Sequence, residues 1–175
     1  FGVKATAVGT AIFNNSMRRT TGNTTLRNPE EPQDRIWLEV KQEKYNLGSS
    51  TLIAFSENTI NGIDPGYDSP RLASSVSIYS HLGDGSEQLG IQSLAAYENR
   101  ATVLLGFSSS ISEETVFTIS IKNREGRLEG VTVHLIDNVL RTMQDITNKD
   151  YSFKTKTGIQ NSRFRLQFID NTRLG

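Results

Sequence analysis

Two aspartates four residues apart, Asp64 and Asp68, lie in the loop Asn61-Gly62-Ile63-Asp64-Pro65-Gly66-Tyr67-Asp68-Ser69-Pro70. Their carboxylates, with neighbouring backbone carbonyls, are the hard oxygen ligands that Ca²⁺ takes, although two carboxylates fall short of the ~6–8 oxygens such an ion needs. The competing reading is that each carboxylate caps backbone N–H groups within a glycine- and proline-rich turn. His81 and His134 are the only histidines, and both fall on the presumed solvent faces of separate strands. Without His-x-His or His-x-x-x-His spacing and a third converging ligand they read as ordinary surface residues, not as a zinc site. Gly-x-Ser-x-Gly does not occur, and neither does a phosphate-cradling glycine loop. The pairs Glu30-Glu31 and Glu113-Glu114 are adjacent, so on a strand they face opposite ways and cannot flank one glycosidic bond.

The second chemical resource is aromatic. Trp37, the only tryptophan, alternates with Ile36 and Leu38, and Tyr79 takes the same outward position on its own strand. Exposed rings on a sheet stack against sugars, which makes Trp37 and Tyr79 a candidate carbohydrate platform. Coverage of Trp37 by the segment before it is the alternative, because tryptophan rings are usually well covered.

Composition narrows the function classes. The chain has 175 residues with 19 basic and 19 acidic side chains, a balance that provides no long-range attraction to nucleic acid or an anionic membrane. Arg18, Arg19, Arg27 and Arg35 form a loose basic group, offset by Glu30, Glu31 and Asp34. Cysteine is absent, which removes disulfides and thiol catalysis within this chain. No run approaches the ~18 apolar residues that cross a bilayer as a helix. Hydrophobic residues make up 35% of the chain, as expected where each strand sends every second side chain inward.

These side chains must be positioned by strands. Ile36, Leu38 and Val40 alternate with polar neighbours, as do Phe117, Ile119 and Ile121, then Val131, Val133 and Leu135, then Phe164, Leu166 and Phe168. That is the period of half-buried strands. Further strands are expected at 50–55, 101–107 and 150–153, with a hairpin of 76–82 and 89–92 joined through Gly83 to Ser86. Only 139–147 hints at a helical turn. About ten short strands with regular turn signals predict an all-β domain, a two-sheet antiparallel β-sandwich. Jelly-roll is the preferred topology, and an immunoglobulin-like arrangement fits the same pattern. One domain, 1–175, is expected: 1–34 holds two short strands (around Val3 to Ala5 and Ala11 to Phe13) and a long polar loop (14–33), and 35–170 holds the main strands. Starting at Phe1, the chain reads as a piece of a larger protein.

Four stretches carry a family resemblance: Phe1-Gly2-Val3-Lys4-Ala5, Phe13-Asn14-Asn15-Ser16-Met17-Arg18, Asp64-Pro65-Gly66-Tyr67-Asp68-Ser69-Pro70-Arg71-Leu72, and Tyr151-Ser152-Phe153 followed by Arg163-Phe164. In order and spacing they resemble the β-sandwich module that precedes the sorting domain of type IX-secreted proteins of Bacteroidetes. Arg71 stands where that module usually has lysine, and Ser69-Pro70 replaces a small–aromatic pair. The resemblance implies an extracellular or cell-surface module and does not imply an enzyme; a non-catalytic spacer, adhesion or protein-docking role is expected, and a hydrolase accessory or catalytic fragment is the third reading. Its partners would be surface proteins or the type IX secretion machinery, with a glycan as the alternative and Ca²⁺ as the only cofactor considered.

Overall fold

The computed structural model describes residues 7–10, 12, 14, 33–83, 85 and 87–170. The chain divides into two units, 1–31 and 32–175. The described residues of the first unit are exposed and carry no strand. The two short strands and the long polar loop expected there, with two of the four family-like stretches, fall almost wholly outside the described residues.

The second unit is all-β. Its strands are β1 (Asp34–Gln42), β2 (Leu47–Phe55), β3 (Ser69–Pro70), β4 (Val76–His81), β5 (Gln88–Leu94), β6 (Thr102–Ser109), β7 (Thr115–Glu125), β8 (Thr132–Asp137), β9 (Thr142–Asp145), β10 (Tyr151–Thr155) and β11 (Gly158–Ile169), with a 3₁₀ turn over Gly126–Gly130. Hydrogen bonds link them along the single path β10-β7-β1-β2-β5-β4-β6-β11-β8-β9, with β3 added to β5. All pairings are antiparallel except β2 with β5. The two ends of this path, β9 and β10, are consecutive in the chain and joined by only residues 146–150. So short a link brings the ends of the sheet together, and the sheet is nearly closed into a barrel.

Alternation explains the core. Ile36, Leu38, Val40, Phe117, Ile119, Val133, Leu135, Leu166 and Phe168 are all fully buried, as the period-two pattern requires. Aromatic rings meet edge-on across the interior: Phe107 of β6 lies 4.9 Å from Phe117 and 5.1 Å from Phe153, and Phe55 of β2 lies 5.5 Å from Phe168 of β11. Such contacts add roughly 0.5–1.5 kcal/mol per pair beyond area burial.

A buried ion pair joins the neighbouring strands β8 and β11, and Tyr151 of β10, at the other end of the path, donates to it. Asp137, at the end of β8, is fully buried and accepts from Arg163 Nη2 at 2.8 Å and Nε at 3.0 Å, and from the Tyr151 hydroxyl at 2.9 Å. The Arg163 guanidinium also lies over Phe153 (4.7 Å) and Phe164 (4.9 Å). The Tyr-x-Phe and Arg-Phe stretches singled out in the sequence therefore meet here, on β10 and β11, at the closure.

The helical turn expected within 139–147 is corrected. Residues 138–141 form a hairpin loop and β9 follows. The Asp137 carboxylate accepts from Val139 and Leu140 N–H at 2.9 and 3.0 Å, and Arg141 reverses the chain at φ 52°. A carboxylate that ties down the next backbone donors favours a turn over a helix interior.

Candidate functional site

The Asp64–Leu72 loop has a positional role. Asp68 accepts through one oxygen from Asp64 N–H (2.7 Å) and through the other from Ser93 N–H of β5 (2.7 Å). Asp64 Oδ1 accepts from Gly66 N–H at 3.1 Å. This is the turn-capping arrangement weighed against Ca²⁺. Among the described residues no group of three or more His, Cys, Asp or Glu side chains is placed to hold a metal ion. The loop is thereby clamped to β5, where Ser69 pairs with Ile91 and Pro70 with Leu89. Asp68→Ala strips two backbone N–H groups of their partner, and we expect a loss of about 1–3 kcal/mol. Thermal unfolding and faster hydrogen exchange at the Ser93 amide check this.

What the clamp delivers is Arg71. Its N–H donates to Gln88 O (2.9 Å), its Nε to Gln88 Oε1 (2.6 Å) and its Nη1 to Ser77 Oγ (3.1 Å). The guanidinium lies 4.7 Å over the Tyr79 ring, in cation–π geometry. No carboxylate among the described residues forms an ion pair with it.

This arrangement corrects the expected exposure of the outward residues of β4. Ser77, Tyr79 and His81 point away from the core side, yet all are buried, Tyr79 completely. Residues from two other segments cover them. Arg71 lies over Tyr79, while Asn161, at the register shift of β11, accepts the Tyr79 hydroxyl at 2.7 Å through Oδ1. His81, 4% exposed instead of solvent-facing, sets Nδ1 against Leu82 O (2.5 Å) and Nε2 against Asn161 O (2.6 Å). Burial pushes the Tyr79 hydroxyl pKa up, against the opposing pull of Arg71. His134, on β8, is half-buried. Tyr79 thus offers no free ring face to a sugar.

Trp37 behaves differently. It is half-buried on the outer face of β1, paired with Leu52 of β2, which in turn pairs with Ile91 of β5. On its other side β7 carries one extra residue, Lys122, because Trp37 pairs with Asn123 and Leu38 with Ile121. Bulges of this kind re-aim the adjacent side chain. Trp37, Leu52, Ile91 and the strongly exposed Leu72 (89%) border a groove of about 530 Å³ whose polar lining includes Arg71, Ser74 and Ser77. Along its floor Leu47–Thr51 of β2 and Val76–Tyr79 of β4 share no ladder. A side chain spans the seam, Ile78 N–H donating to Ser49 Oγ at 2.8 Å. Thr51 Oγ1 likewise donates to Gly90 O at 3.2 Å. These hydroxyls are committed to holding the wall together.

The sequence singled out Trp37 as part of a sugar platform with Tyr79, not as the wall of a groove, and it marked Arg71 only as the residue that stands where the resembled module has lysine.

Residues 1–168 match the family model described as Domain of unknown function (DUF8693). The chain belongs to that family. No curated protein matches it, and no solved structure does. In this DUF8693 chain the matched span takes in both the Asp64–Leu72 loop and the groove it borders.

Proposed function

We propose that this DUF8693 chain is a non-catalytic docking module whose Trp37–Arg71 groove binds an extended, acidic segment of a partner protein. The observation that carries this is a fixed guanidinium that pairs with no carboxylate among the described residues, beside a half-buried indole and the apolar edge formed by Leu52, Leu72 and Ile91. Arginine held in this way recognises carboxylates with charge-assisted hydrogen bonds, and tryptophan and arginine dominate binding energy in small interfaces. The Ser49 and Thr51 hydroxyls of the groove are engaged by the backbone groups of Ile78 and Gly90, which suits recognition more than bond-making. The four family-like stretches support placing the module outside the cell, in a type IX-secreted surface protein, in an adhesion or spacer setting. The ring contacts of β2, β7 and β10 with β6 and β11 support the finer reading of the fold as a two-layer sandwich of jelly-roll type.

Selection from a displayed peptide library tests the docking role. Peptides enriched on the chain should carry an acidic residue next to apolar ones and should shift the fluorescence of Trp37. Arg71→Glu should weaken their binding by at least about tenfold, the loss of one charge-assisted contact. Enrichment of peptides that bind Arg71→Glu and Trp37→Ala as well as the parent would sink the proposal.

A further inference from the structure

Asn61-Gly62 is the only place in the chain where asparagine precedes glycine. The side-chain amide of asparagine is an electrophile for the main-chain nitrogen that follows it, and glycine, without Cβ, lets that nitrogen swing in. Asp84-Gly85 is the matching aspartate pair, also single in the chain. The fold treats the two glycines in opposite ways. Gly85 N–H is committed to Leu82 O at 2.8 Å. Gly62 N–H donates to no acceptor among the described residues. Asn61 and Gly62 form a bend outside every strand, with Asn61 exposed to water.

The bend is also uncrowded. A Cβ built on Gly62 would meet nothing closer than Ile60 Cδ1 at 3.5 Å, an ordinary contact, so the main chain has room to turn. Asn61 Oδ1 accepts from Ala95 N–H, just past β5, at 3.1 Å. A donor already placed on this oxygen stabilises the negative charge that gathers there when Cγ is attacked.

We propose that Asn61-Gly62 is a self-modifying site, where ring closure converts Asn61 to aspartate and isoaspartate and loosens its loop from β5. Gly62 N attacks Asn61 Cγ. The N–Cγ bond forms, the Cγ–Nδ2 bond breaks, and ammonia leaves with the proton that Gly62 N gives up. Water then opens the cyclic imide. Attack at Cγ leaves aspartate, whereas attack at the main-chain carbonyl leaves isoaspartate, whose backbone runs through Cγ and gains a methylene. The lengthened stretch lies between two ties to β5: Thr59 Oγ1 donates to Leu94 O (2.5 Å), and Asp68 accepts from Ser93 N–H (2.7 Å). Either product adds a carboxylate to a loop that already carries Glu57, Asp64 and Asp68. The added length and the added like charge both oppose the seating of the loop. The reaction needs no partner and is independent of peptide binding in the groove.

The test is to age the full chain in mildly alkaline buffer, folded and in urea, and to map its peptides by mass spectrometry with fragmentation that separates isoaspartate from aspartate. In the folded chain Asn61 should convert at least about tenfold faster than any other asparagine among the described residues, with isoaspartate the larger product. Folding should slow isomerisation at Asp84 more than conversion at Asn61. Gly62→Ala fits the space, so it should keep the fold and slow conversion at least about tenfold. The Ser93 and Ala95 amides should exchange hydrogen faster in the converted chain than in fresh chain, and aged Gly62→Ala should show no such gain. The proposal is overturned if Asn61 converts no faster than the other asparagines, or if folding slows the two glycine pairs equally. It is likewise overturned by conversion that Gly62→Ala leaves unchanged, and by Ser93 and Ala95 amides that exchange alike before and after conversion.

Discussion

Arg163→Met is expected to lower the unfolding free energy by about 3–5 kcal/mol, the cost of stranding one member of a buried ion pair. Asp137 is fully buried and Arg163 is 6% exposed, so water does not replace the lost guanidinium. Among the described residues, Tyr151 and the hairpin N–H groups would be left as donors to that carboxylate. The position amplifies the effect, since β8, β10 and β11 meet at this point of near-closure. Denaturant unfolding of Arg163→Met, Asp137→Asn and the double variant apportions the energy, and the double variant should recover part of the single loss. A loss below about 1 kcal/mol for Arg163→Met would mean that the pair behaves as a surface salt bridge. The pH dependence has a defined sign. Burial pushes the Asp137 pKa up, but Arg163, the Leu140 N–H and the Tyr151 hydroxyl outweigh it, and the net value lies below the ordinary 3.8. A carboxyl depressed on folding contributes stability that is complete above its unfolded pKa and is lost as pH falls through the folded one. The parent should therefore keep this contribution down to about pH 3.8 and lose it in stronger acid. Without Arg163 the depression is smaller, and the acid transition should begin at higher pH.

Much of this fold was legible from alternation alone. Ile36-x-Leu38-x-Val40, Phe117-x-Ile119-x-Ile121 and Phe164-x-Leu166-x-Phe168 are strands whose inward sets are buried as the period predicts, except that Ile121 is half-buried. The hairpin of β4 and β5 was legible too, pairing Ser80 with Leu89 and His81 with Gln88. What alternation could not reveal is coverage from outside the sheet. Ser77, Tyr79 and His81 occupy outward positions and are buried because Arg71 and Asn161, 8 residues before and 82 after Tyr79, close over them. The Asp137–Arg163 pair spans 26 residues and follows from the β8–β11 register, in which Asp137 faces Phe164, not from a local motif. The two residues of the candidate platform part for the same reason. Trp37 borders a groove, whereas Tyr79 serves as the base on which Arg71 rests.

That base has its own steric requirement, which gives the second large prediction. Gly106 of β6 pairs with Tyr79, and a Cβ there would overlap the ring, approaching Cε2 most closely and lying 2.7 Å from Cδ2. The ring cannot retreat freely, because its hydroxyl is bound to Asn161 and its other neighbour is the Arg71 guanidinium. Gly106→Ala should therefore cost about 1–3 kcal/mol or more, as overpacking of a closed site does. It should also move Arg71 and so weaken acidic-peptide binding, although residue 106 touches no ligand. A compensating change separates this from a general weakness of β6. Tyr79→Leu removes the ring atoms that clash, so the Gly106→Ala/Tyr79→Leu pair should lose less than the sum of the two single changes in denaturant unfolding. Additive losses would show that the glycine is needed for the strand alone. Non-additive losses, with peptide binding impaired in step with the displacement of Arg71, would show that a residue without a side chain sets the height of the cation in the groove.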